Sequence, residues 1–383
     1  MNSFIQVPSR LYYGQGCLES VKESIARTGA KKILVCTDKE LRKLGMTALF
    51  EKYAAQAGAS CAVVDEILPE PSAAGVEKTL GCVAASDMDM IAAIGGGSVM
   101  DTAKLLSVLV GAPYTVRDLL RDPGLARKKY TTLMVPTTCG TGSEATGNAI
   151  LAIPEEQTKK GIVNPCMISD EVILDADMIA KLPGKIVAAT GVDALAHCVE
   201  CYTGKKATPL SDLYAAQGAR LIFHNLEKAY NTPGDTAARQ NLLLGAFYGG
   251  AAIAGSGTTA VHALAYPLGG RYHVAHGVSN AILFAQVMAF NRDACEGRLA
   301  GLCDVVYPEL AGKRGPEKAD TIIRRIAEIV KNTEIPVSLK EFGVKEEDLE
   351  DLVVAGSAQK RLLSNNMKEM SLDDIRSIYR QVL

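Results

Sequence analysis

Four side chains able to ligate a metal fall in two segments of this chain. Asp193 and His197 lie in Gly191-Val192-Asp193-Ala194-Leu195-Ala196-His197, and His262 and His276 follow, the latter just ahead of Gly277. Asp193 and His197 are spaced to project from one face of a helix, one turn apart. Three imidazoles and a carboxylate can hold a first-row divalent cation and leave a position for substrate. The chain has 5 histidines, and three of them fall in this pattern. The same spacing also arises in helices that bind nothing, and His262 sits in an apolar stretch where a buried structural histidine is ordinary. The pattern needs support from elsewhere in the chain.

Two upstream loops supply it. Residues 88–94 read as a short buried strand that runs into Gly95-Gly96-Gly97-Ser98, and residues 99–106 read as a helix. A strand, a glycine-rich turn and a helix N-terminus together can cradle phosphate, because the backbone approaches closely and free N–H groups favour an anion. The run is neither the spaced-glycine dinucleotide fingerprint nor a P-loop, and a plain tight turn explains three glycines equally well. A second loop, 136–144, follows a strand at 131–135. It offers the hydroxyls of Thr137, Thr138, Thr141 and Ser143 to a nucleotide.

In order and spacing these motifs resemble the iron-containing, or group III, alcohol dehydrogenases. The resemblance is carried by Gly95-Gly96-Gly97-Ser98 with Asp101, by 136–144, by Asp193 with His197, and by 262–277. It extends from about Tyr12 to the C-terminus. It implies a nicotinamide-dependent oxidoreductase with a nucleotide-binding α/β domain and an all-helical metal domain. Asp193, His197, His262 and His276 would hold one divalent cation, Fe(II) foremost and Zn(II) next. Gly95, Gly96, Gly97, Ser98, Asp101, Thr137, Thr138, Thr141 and Ser143 would meet the cofactor. Lys160 would stand near the nicotinamide ribose, with Lys159 the adjacent alternative. A cytoplasmic homodimer acting on a small alcohol or aldehyde is expected.

The elements that must position these residues follow from hydrophobic periodicity. Residues 32–38 form a strand ending in an acid, 41–57 a helix, 62–64 a strand, 76–84 a helix and 90–94 a third strand. That alternation predicts a doubly wound, mainly parallel sheet. From Leu182-Pro183-Gly184 onward the pattern turns helical, with amphipathic stretches at 322–331 and 372–382. Two domains are expected, a nucleotide-binding one at 1–182 and a metal-binding one at 183–383. The run 241–270 has no Asp, Glu, Lys or Arg, but its glycines and His262 mark buried helices around a site, not a membrane span.

The formal net charge of −2 gives no basic field for nucleic acid, and the first residues lack a signal-peptide pattern. The 10 cysteines are scattered, and Cys198 with Cys201 reads as structural burial. Cys139, in the second loop, is expected near the nicotinamide as an oxidation-sensitive thiol.

Asp38 can hydrogen-bond ribose hydroxyls and repel a 2′-phosphate, favouring NAD over NADP. Its plainer reading is a helix cap, with Lys39 and Lys43 nearby to pair with it. Tyr266 stands where the family commonly has a second active-site histidine, so it is expected to orient substrate. A phenol with an ordinary pKa near 10 is a poor base at neutral pH. His273 is the alternative proton relay, or else a surface histidine or one behind the ligands. The segment around Tyr266, with Arg361-Leu362-Leu363-Ser364-Asn365-Asn366, resembles the family's 4-hydroxybutyrate dehydrogenase branch. That suggests an anionic substrate such as 4-hydroxybutyrate, succinate semialdehyde or a sulfonated aldehyde, held by Arg271 or Arg361. Simple short-chain alcohols or diols are the alternative. A lyase of the dehydroquinate synthase type and a silent binding protein are readings from other classes.

Overall fold

The computed structural model describes residues 4–84, 86–156 and 158–383. The chain divides into two compact units. One comprises Gln6–Thr138 and Gly142–Leu182; the other comprises Pro183–Leu383 together with Cys139–Thr141, Phe4 and Ile5.

The first unit is built on six parallel strands in the order β1-β8-β5-β4-β2-β3. These are β1 (Arg10–Tyr13), β2 (Lys32–Cys36), β3 (Ser60–Val64), β4 (Met90–Gly95), β5 (Thr131–Pro136) and β8 (Glu171–Leu174). β4 lies inside the sheet, paired with β2 (Ile33↔Met90) and with β5 (Met90↔Thr131). All six of its residues are buried, which is why it reads as an unbroken apolar run and not as an alternating strand. An antiparallel hairpin, β6 (Asn148–Ile153) and β7 (Thr158–Val163), pairs Ala149 with Ile162.

Helices cover both faces of the sheet. α1 (Val21–Thr28) and α3 (Ala48–Gln56) contribute Ile25, Phe50 and Ala54 to a core with Ile33, Val35, Ala92, Ile94, Leu133 and Val135. On the other side α4 (Ala73–Val83), α5 (Gly97–Leu109) and α6 (Val116–Arg121) join the hairpin through Val76, Leu105, Leu109, Leu119, Leu151 and Ile162. The helix expected over 41–57 is broken. A short α2 (Lys39–Lys43) ends before Gly45, which adopts a left-handed φ of 72°, and α3 starts at Ala48. The break shows in the sequence only as one glycine inside a helical pattern.

The second unit is helical: α7 (Gly184–Thr203), α8 (Pro209–Asn231), α9 (Thr236–Gly255), α10 (Ala260–Tyr272), α11 (His276–Asn291), α12 (Glu296–Val306), α13 (Gly315–Asn332), α14 (Leu349–Ser357), α15 (Lys360–Leu363) and α16 (Leu372–Val382). The expected amphipathic stretches fall in α13 and coincide with α16. The uncharged run becomes α9, a loop and α10, mostly buried. Among the described residues no helix is long and apolar enough to cross a membrane.

Candidate active site

Three helices of the second unit converge on one point. α7 carries Asp193 and His197 one turn apart, α10 carries His262 in its first turn, and His276 opens α11. One ligand atom from each of the four lies within 4.8 Å of all the others. The Nε2 atoms of His262 and His276 are each 3.6 Å from Asp193 Oδ1, and that of His197 is 3.8 Å away. Bonds near 2.1 Å in a tetrahedral site put ligands roughly 3.4 Å apart, so the cluster fits a divalent cation. The rings of His197 and His262 stack with centroids 4.6 Å apart. Asp193, His197 and His262 are buried, whereas 31% of the His276 side chain is exposed.

Two further residues complete the arrangement. Glu200, on α7, is fully buried and its Oε2 faces His262 Nδ1 in a short contact. Asn280, one turn after His276, donates from Nδ2 to Asp193 Oδ1 at 2.6 Å, and that nitrogen lies 3.2 Å from His262 Nε2. Sequence reasoning missed both. Glu200 had a readable signal: apart from His197 it is the sole charged or titratable side chain, cysteines and Tyr202 aside, between Asp193 and Lys205.

In the first unit β4 delivers Gly95 to the start of α5. A Cβ at Gly95 would stand 2.5 Å from that of Val99, so the turn tolerates no side chain there. Gly96 occupies the N-cap of α5 without any side-chain cap, which leaves the first N–H groups to the backbone approach that suits a phosphate. Thr137 N donates to the Gly95 carbonyl at 3.0 Å, tying the second loop to the first. Thr138 sits beside Gly96.

Models of two families cover nearly the whole chain: iron-containing alcohol dehydrogenase over residues 8–176, and the C-terminal part of the iron-containing alcohol dehydrogenase family over 187–383. The chain belongs to the iron-containing alcohol dehydrogenase family. It is 35% identical to long-chain-alcohol dehydrogenase 1 of Geobacillus thermodenitrificans, over 98% of this chain and 95% of that protein. It is 31% identical to lactaldehyde reductase of Escherichia coli K12, over 96% of each. A crystal structure of 1,3-propanediol oxidoreductase superposes with a TM-score of 0.95 at 29% identity, covering 100% of both chains. This alcohol dehydrogenase is thus a metal-dependent, NAD(P)-linked alcohol/aldehyde oxidoreductase, which sets aside the lyase and silent-protein readings.

Electrostatics separate the histidines of this alcohol dehydrogenase. Burial opposes ionisation of Asp193, but the imidazoles around it outweigh that and hold its carboxyl well below the ordinary range. Burial likewise dominates at His197, lowering it to about 4 against the pull of Asp193. At His262 burial is overcome by Glu200 and Asp193, which raise it to about 9. The two rings differ because His262 hydrogen-bonds both Glu200 and Asp193, whereas His197 is additionally lowered by the charge of His262.

These shifts have opposite signs in stability. With an ordinary value of 6.5, His262 stabilises the metal-free fold fully below pH 6.5 and loses that contribution as pH rises through about 9. His197, buried neutral, costs stability as pH falls from 6.5 through about 4. As His262 loses its proton, chelator-treated protein is expected to lose melting temperature between pH 6.5 and 9. A melting temperature that does not fall between pH 6.5 and 9 would contradict the environment assigned to His262.

Asp101 accepts from Ser143 Oγ and, at 2.9 Å, from Ile150 N, and it pairs with the buried Lys104 at 2.9 Å. Lys104 in turn donates to the Ser143 carbonyl at 3.0 Å. Asp101 and Ser143 thus brace the loop against α5, and Lys104, unnoticed in the sequence, is the fully buried strut. Ser98 Oγ accepts from Glu70 N at 3.1 Å. Thr141 belongs with the helical unit. Lys160 lies exposed on β7, while Lys159 pairs with Glu70 at 2.6 Å.

Asp38 caps α2, accepting from Leu41 N at 2.8 Å. The cap is the plainer reading of this residue, but Lys39 and Lys43 pair with Glu66 and Glu40 and not with Asp38. Tyr266 puts its ring 6.0 Å from that of His276. His273 is exposed at the C-cap of α10 with a left-handed φ of 54°, outside the ligand cluster. Arg271 pairs with the exposed Asp351 at 3.0 Å. Arg361 is exposed on α15, but Asn365 is structural, donating to the carbonyls of Ser256, Gly257 and Thr258. All ten cysteines are free thiols, with Cys198 and Cys201 buried as expected. Cys139, expected to be oxidation-sensitive, is fully buried beside Thr190 Oγ1, and burial pushes its thiol up, which disfavours the reactive thiolate.

Proposed function

We propose that this enzyme interconverts a small primary alcohol and its aldehyde with NAD, using Fe(II) foremost and Zn(II) next. The observation that carries the reading is the convergence of four ligand atoms beside the partly exposed His276. A divalent cation held there supplies Lewis-acid polarisation of the alcohol or carbonyl oxygen. Residues 183–383 would hold the cation and residues 1–182 the nucleotide. β1 lies at the sheet edge with Leu11 and Tyr13 exposed, a place where a second copy can pair, which supports a homodimer; a cytoplasmic location is part of the same proposal and rests on the family alone.

For the substrate, the pairing of Arg271 with Asp351 favours a neutral alcohol or diol over an anionic one. Relatives acting by name on long-chain alcohols, lactaldehyde and 1,3-propanediol point the same way. The 4-hydroxybutyrate or sulfonated-aldehyde reading is left with Arg361. A panel of straight-chain alcohols, diols and 4-hydroxybutyrate, run with NAD and NADP after anaerobic Fe(II) or Zn(II) loading, tests it. A kcat/KM highest for 4-hydroxybutyrate and lost in Arg361→Ala would reverse the preference.

NAD selectivity is assigned to Asp38. Asp38→Gly removes the carboxylate, and glycine replaces an N-cap aspartate at only a few tenths of a kcal/mol, so the fold survives. The variant is expected to gain activity with NADP relative to NAD, and an unchanged ratio of kcat/KM values would refute that role.

Tyr266 is expected to orient substrate by packing beside His276. Tyr266→Phe should cost about tenfold or less in kcat, on the scale of one hydrogen bond. A loss of roughly a hundredfold to ten-thousandfold would instead mark a general acid–base.

A further inference from the structure

We propose that Glu200 is a positioning residue for the cation site, an inference that rests on the cation-binding reading above. Its carboxylate holds His262 as the Nδ1–H tautomer, so that Nε2 presents its lone pair to the metal. It also provides, with Asp193, the second buried negative charge that matches a divalent ion.

The geometry assigns each oxygen a separate task. Oε1 accepts from Thr259 Oγ1 and Val261 N, each at 2.7 Å, and from Thr259 N at 3.2 Å. Thr259 is the N-cap of α10 yet makes no side-chain cap of its own. Glu200 therefore caps α10 from a neighbouring helix, at the end where the helix dipole favours a carboxylate. Oε2 faces His262 Nδ1. One rigid carboxylate thus fixes both the start of α10 and the ring that α10 carries. Among the partners described for Glu200 there is no lysine or arginine. A fully buried carboxylate without such a partner is costly, and the ligand histidine with its cation is the charge it faces. A histidine ligand whose other nitrogen donates to a carboxylate is correctly oriented and more basic, and removing such a partner typically weakens metal binding about 10–100-fold.

A capping role alone and a positioning role predict different results for the isosteric Glu200→Gln. The amide oxygen can still accept from Thr259 and Val261, so the cap survives. The amide nitrogen, however, is a donor opposite Nδ1 and drives the ring proton to Nε2, where the cation must bind. The test is anaerobic Co(II) titration of the full-length, chelator-treated protein, read by calorimetry and visible absorption, with circular dichroism to verify the fold.

Wild type is expected to bind one Co(II) and Glu200→Gln to bind it about 10–100-fold more weakly. Thr259→Val, which removes one bond to Oε1, should weaken binding about fivefold. A folded Glu200→Gln variant with cobalt affinity within threefold of wild type overturns the inference while the cation reading stands. If Glu200→Gln does not fold, Thr259→Val decides: weakening supports the inference, and unchanged affinity overturns it. No cobalt uptake by wild type, or full uptake by His262→Ala, fails the cation reading itself.

Discussion

Replacing His262 with alanine is expected to strip the cation from the protein and lower turnover by roughly a hundredfold or more, beyond the usual cost of losing an outer partner of a ligand. His262 has Nε2 within 3.6 Å of Asp193 Oδ1 and Nδ1 against Glu200, so no neighbour can take its place. The substitution also leaves the Glu200 carboxylate buried without its imidazole. An uncompensated buried charge costs roughly 3–5 kcal/mol, so the melting temperature should fall as well. The α/β unit contains neither residue, and nucleotide binding should persist. Metal analysis of the purified variant checks this, and wild-type metal content would refute the ligand assignment.

The second large effect is steric. Gly277 follows His276, and a Cβ there would stand 2.2 Å from the Ala189 carbonyl oxygen and 2.7 Å from its carbon. Both are backbone atoms of α7, the helix that carries Asp193 and His197, so neither can swing aside. Gly277→Ala must push α11 away from α7 and move His276 with it. Overpacking of this kind costs about 1–3 kcal/mol, and displacement of a ligand should weaken metal binding at least about tenfold. Thermal melting and metal titration measure the two consequences. A variant with wild-type values for both would show that the helices have room the geometry denies them.

Much of this was legible in the sequence because the signals were local. The apolar run of β4 into three glycines, and the Asp193–His197 spacing, each depend on residues a few positions apart. That His262 and His276 join them rested on the concentration of three of the 5 histidines and on resemblance to a family, not on periodicity. What escaped notice depends on contacts between distant segments. Asp101 was expected to meet the cofactor by resemblance to the family, and Ser143 by its hydroxyl. Only the fold shows Ser143 Oγ donating directly to Asp101, with the buried Lys104 bonded to both. The pairing of Arg271 with Asp351, far along the chain, is likewise invisible in the local pattern. Glu200 was overlooked because a carboxylate three residues after a ligand reads as an ordinary helix residue until Thr259, Val261 and His262 close around it. Cys139 misled in the opposite direction: its loop was placed correctly in order, but burial beside Thr190 decides its reactivity.

The central claim is that one divalent cation per chain, held by Asp193, His197, His262 and His276, makes this protein an alcohol dehydrogenase. The most direct measurement is anaerobic Fe(II) titration of the chelator-treated protein while NAD reduction by a primary alcohol is followed at 340 nm. The account predicts activity rising linearly from near zero and breaking at one equivalent per chain. Full activity before any metal is added, or a break away from one equivalent, would contradict it.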